Sequence, residues 1–352
     1  MIRRYTPPDK QGILQLIGSV FGDEISSRTK DLWEWRFEQN PYTLPEGQKI
    51  LVLEEDSQIV GVLASFPVPM KVYNRSLIAF WFNTFLTHPR YRGMGAGLAA
   101  QLISTTGLGL GIPNRGSYDI WKAIGCFDCC KTITWSAIIN PKAILRKKKS
   151  SKIATNVLGN AWALFNQFAF DQRNLDPPPN AFSCEEVHRF DQTIDALWGK
   201  VASDYPIATI RESRYLNWRF IDCPVRKYSA YIARKAGAIC GYIIFRNEQV
   251  RGLKRGYIVD FLTTKNDKTA LSWLVSNAVR SLRKEGVDII SCLVPRCCLS
   301  IRATLRRHGF VFKEYEYSVV GNALADYISS REVATQDDWF LTMGDSETDF
   351  VI

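Results

Sequence analysis

The chain repeats itself. Trp35-Arg36-Phe37 recurs as Trp218-Arg219-Phe220, 183 positions on. Ile-Val-Gly-Val around Gly61 recurs as Ile-Cys-Gly-Tyr around Gly241, at an offset of 180. Thr84-Phe85-Leu86-Thr87 answers Asp260-Phe261-Leu262-Thr263 at 176, and the Ile-Gly-Cys at Gly125 answers the His-Gly-Phe at Gly309 at 184. One such match is chance. Four in the same order at nearly constant offset argue for a duplicated unit, and 352 residues suffice for two domains of ordinary size.

The unit is legible in the first 140 residues. Asp9 precedes Ile13, Leu14, Leu16, Ile17, Val20 and Phe21, a helical spacing with Asp9 as the expected N-cap. Apolar runs at 49–54, 59–66 and 76–87 read as strands, and the short polar turns between them predict antiparallel neighbours. A glycine-rich turn and a helix over 95–106 follow, then an apolar run at 108–112, a helix over 114–124 and a strand over 132–139. This order predicts an α/β (α+β) unit, a mixed, mostly antiparallel sheet flanked by helices. Residues 141–180 break the pattern and read as a linker, followed by a second unit over 181–330 and a tail over 331–352.

Charge and cysteine usage narrow the class. The formal charge is +10, and six of the basic residues (Lys142, Arg146, Lys147, Lys148, Lys149, Lys152) fall in a stretch without an acid. The helical spacing of Val157, Leu158, Trp162, Leu164, Phe165 and Phe168 makes 153–170 an expected amphipathic helix, ended by Pro177-Pro178-Pro179. Residues 142–170 are therefore a candidate peripheral contact with an anionic membrane surface; the simpler reading is a linker packed between the two units, its lysines solvated. The basic excess lacks interleaved aromatics, so no nucleic acid is expected. No apolar run reaches the roughly 18 residues of a spanning helix. The first residues lack the apolar core of a secretory signal. Nine cysteines, an odd number with adjacent pairs, read as reduced thiols of a cytoplasmic protein. Cys126 and Cys129 form a lone C-x-x-C without a second pair or suitably spaced histidines, so no metal is expected.

The chemistry lies between Phe85 and Ile103. A strand ends near Thr87, a turn holds Arg92, Gly93, Gly95 and Gly97, and a helix opens. Glycines let backbone approach a bulky anion, and the free N–H groups of a first helical turn, with the helix dipole, can bind phosphate oxygens. Arg92 adds a fixed charge with several donors. There is no Lys-Ser/Thr of a P-loop and no βαβ setting of a dinucleotide fold.

Arg92-Gly93-Met94-Gly95-Ala96-Gly97 resembles the R/Q-x-x-G-x-G/A signature of the GNAT acyltransferase superfamily, and the preceding Thr-His-Pro-Arg-Tyr-Arg-Gly is typical of it. The resemblance implies two GNAT-like domains, the first binding acetyl-CoA or another acyl-CoA. Its pyrophosphate would lie on the turn, and its pantetheine arm would pair with the backbone of Leu86 and Thr87. A second family motif places an Asn, a Tyr seven residues on, and Gly-Phe four further. Here Asn114 and Gly125 match, but Trp121 stands at the Tyr and Cys126 at the Phe. The family's Tyr commonly protonates the leaving thiolate, which Trp cannot do. Tyr118, one helical turn earlier, is the substitute to consider. Trp121 is either a core aromatic or a wall of the thioester pocket.

A general base is not evident; Glu34, Asp119, Asp222 and Asp260 are the carboxylates near the expected cleft, and a water relay would also serve. Trp35-Arg36 and Trp218-Arg219 read as repeated core-and-cap positions rather than substrate ligands. In the second unit Asn266 to Ala270 replaces the turn without a glycine, so a second CoA site is not expected. The resulting expectation is an acyl-CoA-dependent N-acyltransferase acting directly on a small-molecule or sugar amine near the domain interface. A Fem-like aminoacyl transferase and a non-catalytic CoA-binding protein are the alternatives.

Overall fold

The computed structural model describes residues 1–147, 182–264, 267–324 and 328–346. The amphipathic helix expected over 153–170 and most of the basic stretch lie outside them. Strands β1 (Ile2–Arg4), β2 (Ile50–Glu55), β3 (Gln58–Val72) and β4 (Arg75–Thr87) form an antiparallel meander. The β2–β3 hairpin turns on Asp56 and Ser57, both at positive φ, the backbone a two-residue hairpin of this twist demands. β3 runs to Val72, well past the expected Phe66; Pro67 and Pro69 sit inside it, and β8 (Ile207–Thr209) pairs only with Met70 to Val72.

On one face of the sheet lie α1 (Asp9–Phe21) and α2 (Asp23–Trp33), the latter ending in a π-helical turn, Glu34–Glu38. On the other lie α3 (Gly95–Ile103) and α4 (Arg115–Ala123), leading to β5 (Leu108–Gly111) and β6 (Phe127–Ile138). After α5 (Pro141–Lys147) the second half repeats the plan. It has β7 (Phe182–Val187), α6 (Gln192–Val201), α7 (Ser213–Leu216) with a π turn at Asn217–Ile221, β9 (Ser229–Lys235), β10 (Ala238–Val250), β11 (Leu253–Thr263), α8 (Lys268–Lys284), β12 (Ile289–Pro295), α9 (Leu299–Arg307) and β13 (Val311–Ala323).

The repeat seen in sequence has a physical cause at each anchor. Gly61 and Gly241 are places where a Cβ would collide with the helix above: with Leu98 of α3 at 3.2 Å, and with Leu274 of α8 at 3.1 Å. The two π turns carry Trp35 and Trp218. Their rings stack at 5.1 Å and 19°, and each indole N–H donates to the other's backbone carbonyl, at 2.7 and 3.0 Å. This reciprocal pair marks a pseudo-two-fold relation between the halves and makes both residues core, as their repeated positions suggest.

The halves do not separate at the linker. The strand order is β1-β2-β3-β4-β5-β13-β6-β12-β11-β10-β9-β7. Each half's last strand has crossed over: β13 inserts between β5 and β6, and β6 pairs with β12. The boundaries at 140 and 181 therefore divide the chain but not the sheet. The segment read as a tail is also internal. Trp339 and Phe340 form β14, parallel to β8, and residues 339–345 are buried.

Asp9 is not the N-cap of α1; Pro8 holds that position. The Asp9 carboxylate instead accepts from Arg3 at 2.7 and 2.8 Å and from the Thr6 N–H at 2.7 Å, tying β1 to α1. The Arg3 hydrogen bonds hold its pKa down to about 2, below the ordinary 3.8. A depressed carboxylate stabilises the fold above its unfolded pKa and ceases to do so as pH falls through the folded one. Asp9→Asn should cost about 2 kcal/mol at pH 7 and progressively less between pH 4 and pH 2, measured by urea denaturation at each pH.

Candidate functional site

β4 and β5 are parallel partners only at Phe80–Gly109 and Trp81–Leu110. Beyond Trp81 they part. The β3–β4 register slips between Leu63 and Ala64, leaving Thr84 as a bulge residue at φ +40°. A β-branched residue there is strained, and such strain is kept where it shapes a site. The bulge turns residues 82–87 away from β5, so that edge of β4 has no neighbouring strand among the described residues. The result is a cleft of about 500 Å³.

Beyond the end of β4 lies the glycine turn, which does not itself line the cleft but adjoins it where Gly95 sits against Phe85. Gly93, at φ +97°, reverses the chain after Arg92. Met94 and Gly97 donate their N–H groups to the Tyr91 and Met94 carbonyls, whereas those of Arg92, Gly93, Gly95 and Ala96 reach no acceptor among the described residues. The start of α3 has no side-chain cap. Four donors, a positive helix end and Arg92 are thus presented together, an arrangement suited to a diphosphate. Gly95 has a different reason for being glycine: a Cβ would meet the Phe85 ring at 3.2 Å. It lets α3 sit close on β4.

In the cleft lining, Asn114 caps α4, accepting from the Gly116 and Ser117 N–H groups at 2.9 and 3.0 Å. Trp121 is buried, stacked on Phe82 at 4.8 Å and edge-on to Phe85 at 5.6 Å. It is both a core aromatic and a wall of the cleft. Tyr118 does not line the opening. Its hydroxyl donates to Asp128 at 2.9 Å, and that carboxylate raises its pKa. The carboxylates named from sequence lie elsewhere. Glu34 pairs with Lys10, and Asp222 with Arg189. Asp119 is exposed on α4. Asp260 is buried in the second half, accepting from Arg211, Tyr242 and Thr342 at 3.1, 2.7 and 2.7 Å; burial raises its pKa. Among the described residues lining the cleft there is no Asp or Glu.

What sequence reading missed is the far side of the opening. Ile25, Arg28, Thr29, Leu32 and Arg36 line it from α2 and its π turn. That is an i, i+3/i+4, i+7, i+11 stripe, a spacing present in the sequence. Tyr317 comes from the exchanged strand β13 and Ser346 from the C-terminal segment. No local pattern could place these two. The indole N–H of Trp81 and the hydroxyl of Ser346, both at the cleft, are buried without a partner among the described residues.

The corresponding place in the second half is filled from within. Gly344 donates its N–H to the Val259 carbonyl, on the β11 bulge, at 3.0 Å. Phe340 packs edge-on to Phe261, and the thiols of Cys297 and Cys298 lie 3.6 and 4.0 Å from the Trp339 carbonyl. Asp267 occupies the start of α8, its carboxylate accepting from the Ala270 N–H. Cys126 and Cys129 are buried thiols, their pKa values raised by burial. No helix among the described residues is long and apolar enough to cross a membrane.

Residues 1–106 match the family model of the acetyltransferase (GNAT) domain. A search of curated sequences finds no match. Among solved structures, a GCN5-related N-acetyltransferase from Anabaena variabilis is similar over 92% of this chain and 72% of its own, with a TM-score of 0.63 at 10% identity. Saccharomyces cerevisiae N-myristoyltransferase with bound myristoyl-CoA is similar over 90% of this chain and 80% of its own, at 0.56 and 12%. At these identities the likeness is one of fold, and it extends across both halves.

Proposed function

We propose, from the match of residues 1–106 to the acetyltransferase (GNAT) domain model, that the protein is an acyl-CoA-dependent N-acyltransferase with one working cleft, in the first half. The observation that supports this best is the parting of β4 from β5 at Trp81, with an unpaired strand edge leading to the donors at Arg92 to Ala96. The turn suits the pyrophosphate and the free edge of β4 suits the amides of a pantetheine arm, so the residues present fit the co-substrate. A thioester supplies an activated acyl carbon and a thiolate leaving group. The strand edge near Leu86 would orient it and polarise its carbonyl. The walls formed by Phe82, Phe85 and Trp121 exclude water from the acyl group. The acceptor nitrogen bonds to the acyl carbon as the C–S bond breaks; the thiolate takes up a proton and the new amide releases one to solvent. No side chain at the cleft is assigned as the general base, and Trp121 cannot act as an acid.

Acetyl-CoA is the simplest donor, and a cytoplasmic location is the reading that this donor supports. Incubating the protein with acyl-CoA thioesters of graded length and a panel of amines should release free thiol, measured with a thiol-reactive chromophore, together with the acylated amine by mass spectrometry. Tight CoA binding with no thiol release from any pair would instead favour the non-catalytic reading, which Trp121 at the family's Tyr position and Tyr118 facing Asp128 make the specific alternative.

A further inference from the structure

The chain carries two pairs of adjacent cysteines, and the fold treats them differently. Cys129 and Cys130 lie within β6, where successive side chains point to opposite faces of the sheet. Both are buried, and burial raises both thiols. Cys297 and Cys298 lie instead in the turn between β12 and α9. There the Cys298 N–H donates to the Pro295 carbonyl at 3.2 Å, and the Leu299 N–H to the Cys297 carbonyl at 2.7 Å. This winding brings the two side chains together. Their sulfurs are 4.0 Å apart, and they lie 3.6 and 4.0 Å from the Trp339 carbonyl. Both residues are half-buried and line a cavity of about 250 Å³ beside Leu299, which is 69% exposed. Cys298 stands at the N-cap of α9, and the positive end of a helix favours a thiolate. The Cys298 contact holds the Cys297 thiol below its ordinary value, against burial and the neighbouring Asp337 and Asp338.

We propose that Cys297 and Cys298 form a dithiol switch for a small hydroperoxide, closing to a disulfide between neighbours. The Cys297 thiolate attacks one peroxide oxygen. The O–O bond breaks, and the departing hydroxide or alkoxide takes up a proton as water or alcohol. Cys297 is then a sulfenic acid. The Cys298 sulfur attacks it, the S–S bond forms, and the sulfenic hydroxyl leaves with the Cys298 proton as water. Two thiols lose two electrons, and the peroxide bond gains them. Neighbouring Cα atoms are about 3.8 Å apart, below the roughly 4.4–6.8 Å usual for a disulfide. The closed ring is therefore strained, and external thiols reopen it. The oxidised pair has no S–H to give the Trp339 carbonyl. That carbonyl heads residues 339–345, the segment that fills the second cleft and leads to Ser346 in the first. Oxidation thus releases one end of this segment. The switch does not depend on whether the protein transfers acyl groups.

The test treats the reduced whole chain with a few equivalents of hydrogen peroxide and follows it by intact mass and peptide mapping. The expected result is the loss of two hydrogens per chain, mapped to a peptide holding both Cys297 and Cys298 and reversed by dithiothreitol. Amide hydrogens of residues 339–345 should exchange faster in the oxidised form. Cys298→Ser keeps a hydroxyl donor for the Trp339 carbonyl but removes the second thiol. Its Cys297 should then accumulate as a sulfenic acid that dimedone captures, whereas Cys297→Ser should give neither cross-link nor dimedone adduct. A first cross-link elsewhere, Cys297 with Cys130 included, would overturn the proposal. So would oxygen added to these thiols without a cross-link, no change in mass, or unchanged exchange over 339–345 in the cross-linked form.

Discussion

Arg92→Glu leaves the protein folded and weakens acyl-CoA binding about a hundredfold. The residue is exposed at the end of β4, and its side chain makes no hydrogen bond among the described residues, so the fold does not depend on it. Its replacement removes a charge-assisted contact of roughly 1.5–3 kcal/mol and sets a carboxylate against the diphosphate. Two decades in Kd correspond to about 2.8 kcal/mol, within that range. Titration calorimetry with CoA reads the effect directly, and an unchanged melting temperature separates it from unfolding. Arg92 is a better choice than Gly95, where a side chain would strike Phe85 and confound packing with charge. Wild-type protein should bind one equivalent of CoA per chain. The second cleft has Asp267 at its helix start and residues 339–345 across its bulge. Two equivalents, or equal affinity in the variant, would show that the turn is not the binding site.

Trp218→Ala should be the most damaging single substitution considered. The indole is buried against Trp35, Phe66 and Tyr215, and removing a buried Trp costs about 3–5 kcal/mol. It also leaves the Trp35 carbonyl without its donor, and the Trp218 carbonyl exposed to a partner that can shift. Trp218→Phe separates the two contributions. It keeps an aromatic surface and loses the hydrogen bond, so about 1–3 kcal/mol is expected. Urea denaturation measures both, and Trp35→Phe should resemble Trp218→Phe because the pair is reciprocal. If Trp218→Ala costs no more than an average surface change, the stack does not join the halves. Because β6 and β13 are exchanged, both halves should lose structure in one transition, visible as coincident fluorescence and far-ultraviolet signals.

The glycine turn was legible because its conformation is set locally. Gly93 sits at a φ that other residues avoid, so the turn is written in its own residues. The hairpins of the first half were legible for a similar reason, short turns leaving apolar runs little choice of neighbour. Helix ends were less certain. Asp9 looks like a cap by type and position, yet Arg3, brought in by β1, holds its carboxylate for a different purpose. The acid and base candidates lie apart in the fold for the same reason. Asp260 opens a repeat anchor, but Arg211 from another element and Thr342 from the C-terminal segment hold it as a buried group.

The sequence by itself determined that one unit was built twice, that only the first copy keeps a glycine turn, and where that turn lies between strand and helix. These depend on periodicity and on the backbone freedom of single residues, which neighbours in the chain decide. Only the tertiary structure decided that β13 belongs beside β5, that residues 339–345 fill the second cleft, and that Arg28, Tyr317 and Ser346 share the first. Their partners are chosen by burial and hydrogen bonding across hundreds of positions. Such pairings leave no mark on local spacing, because any strand of the right period satisfies an open sheet edge until the whole core is packed.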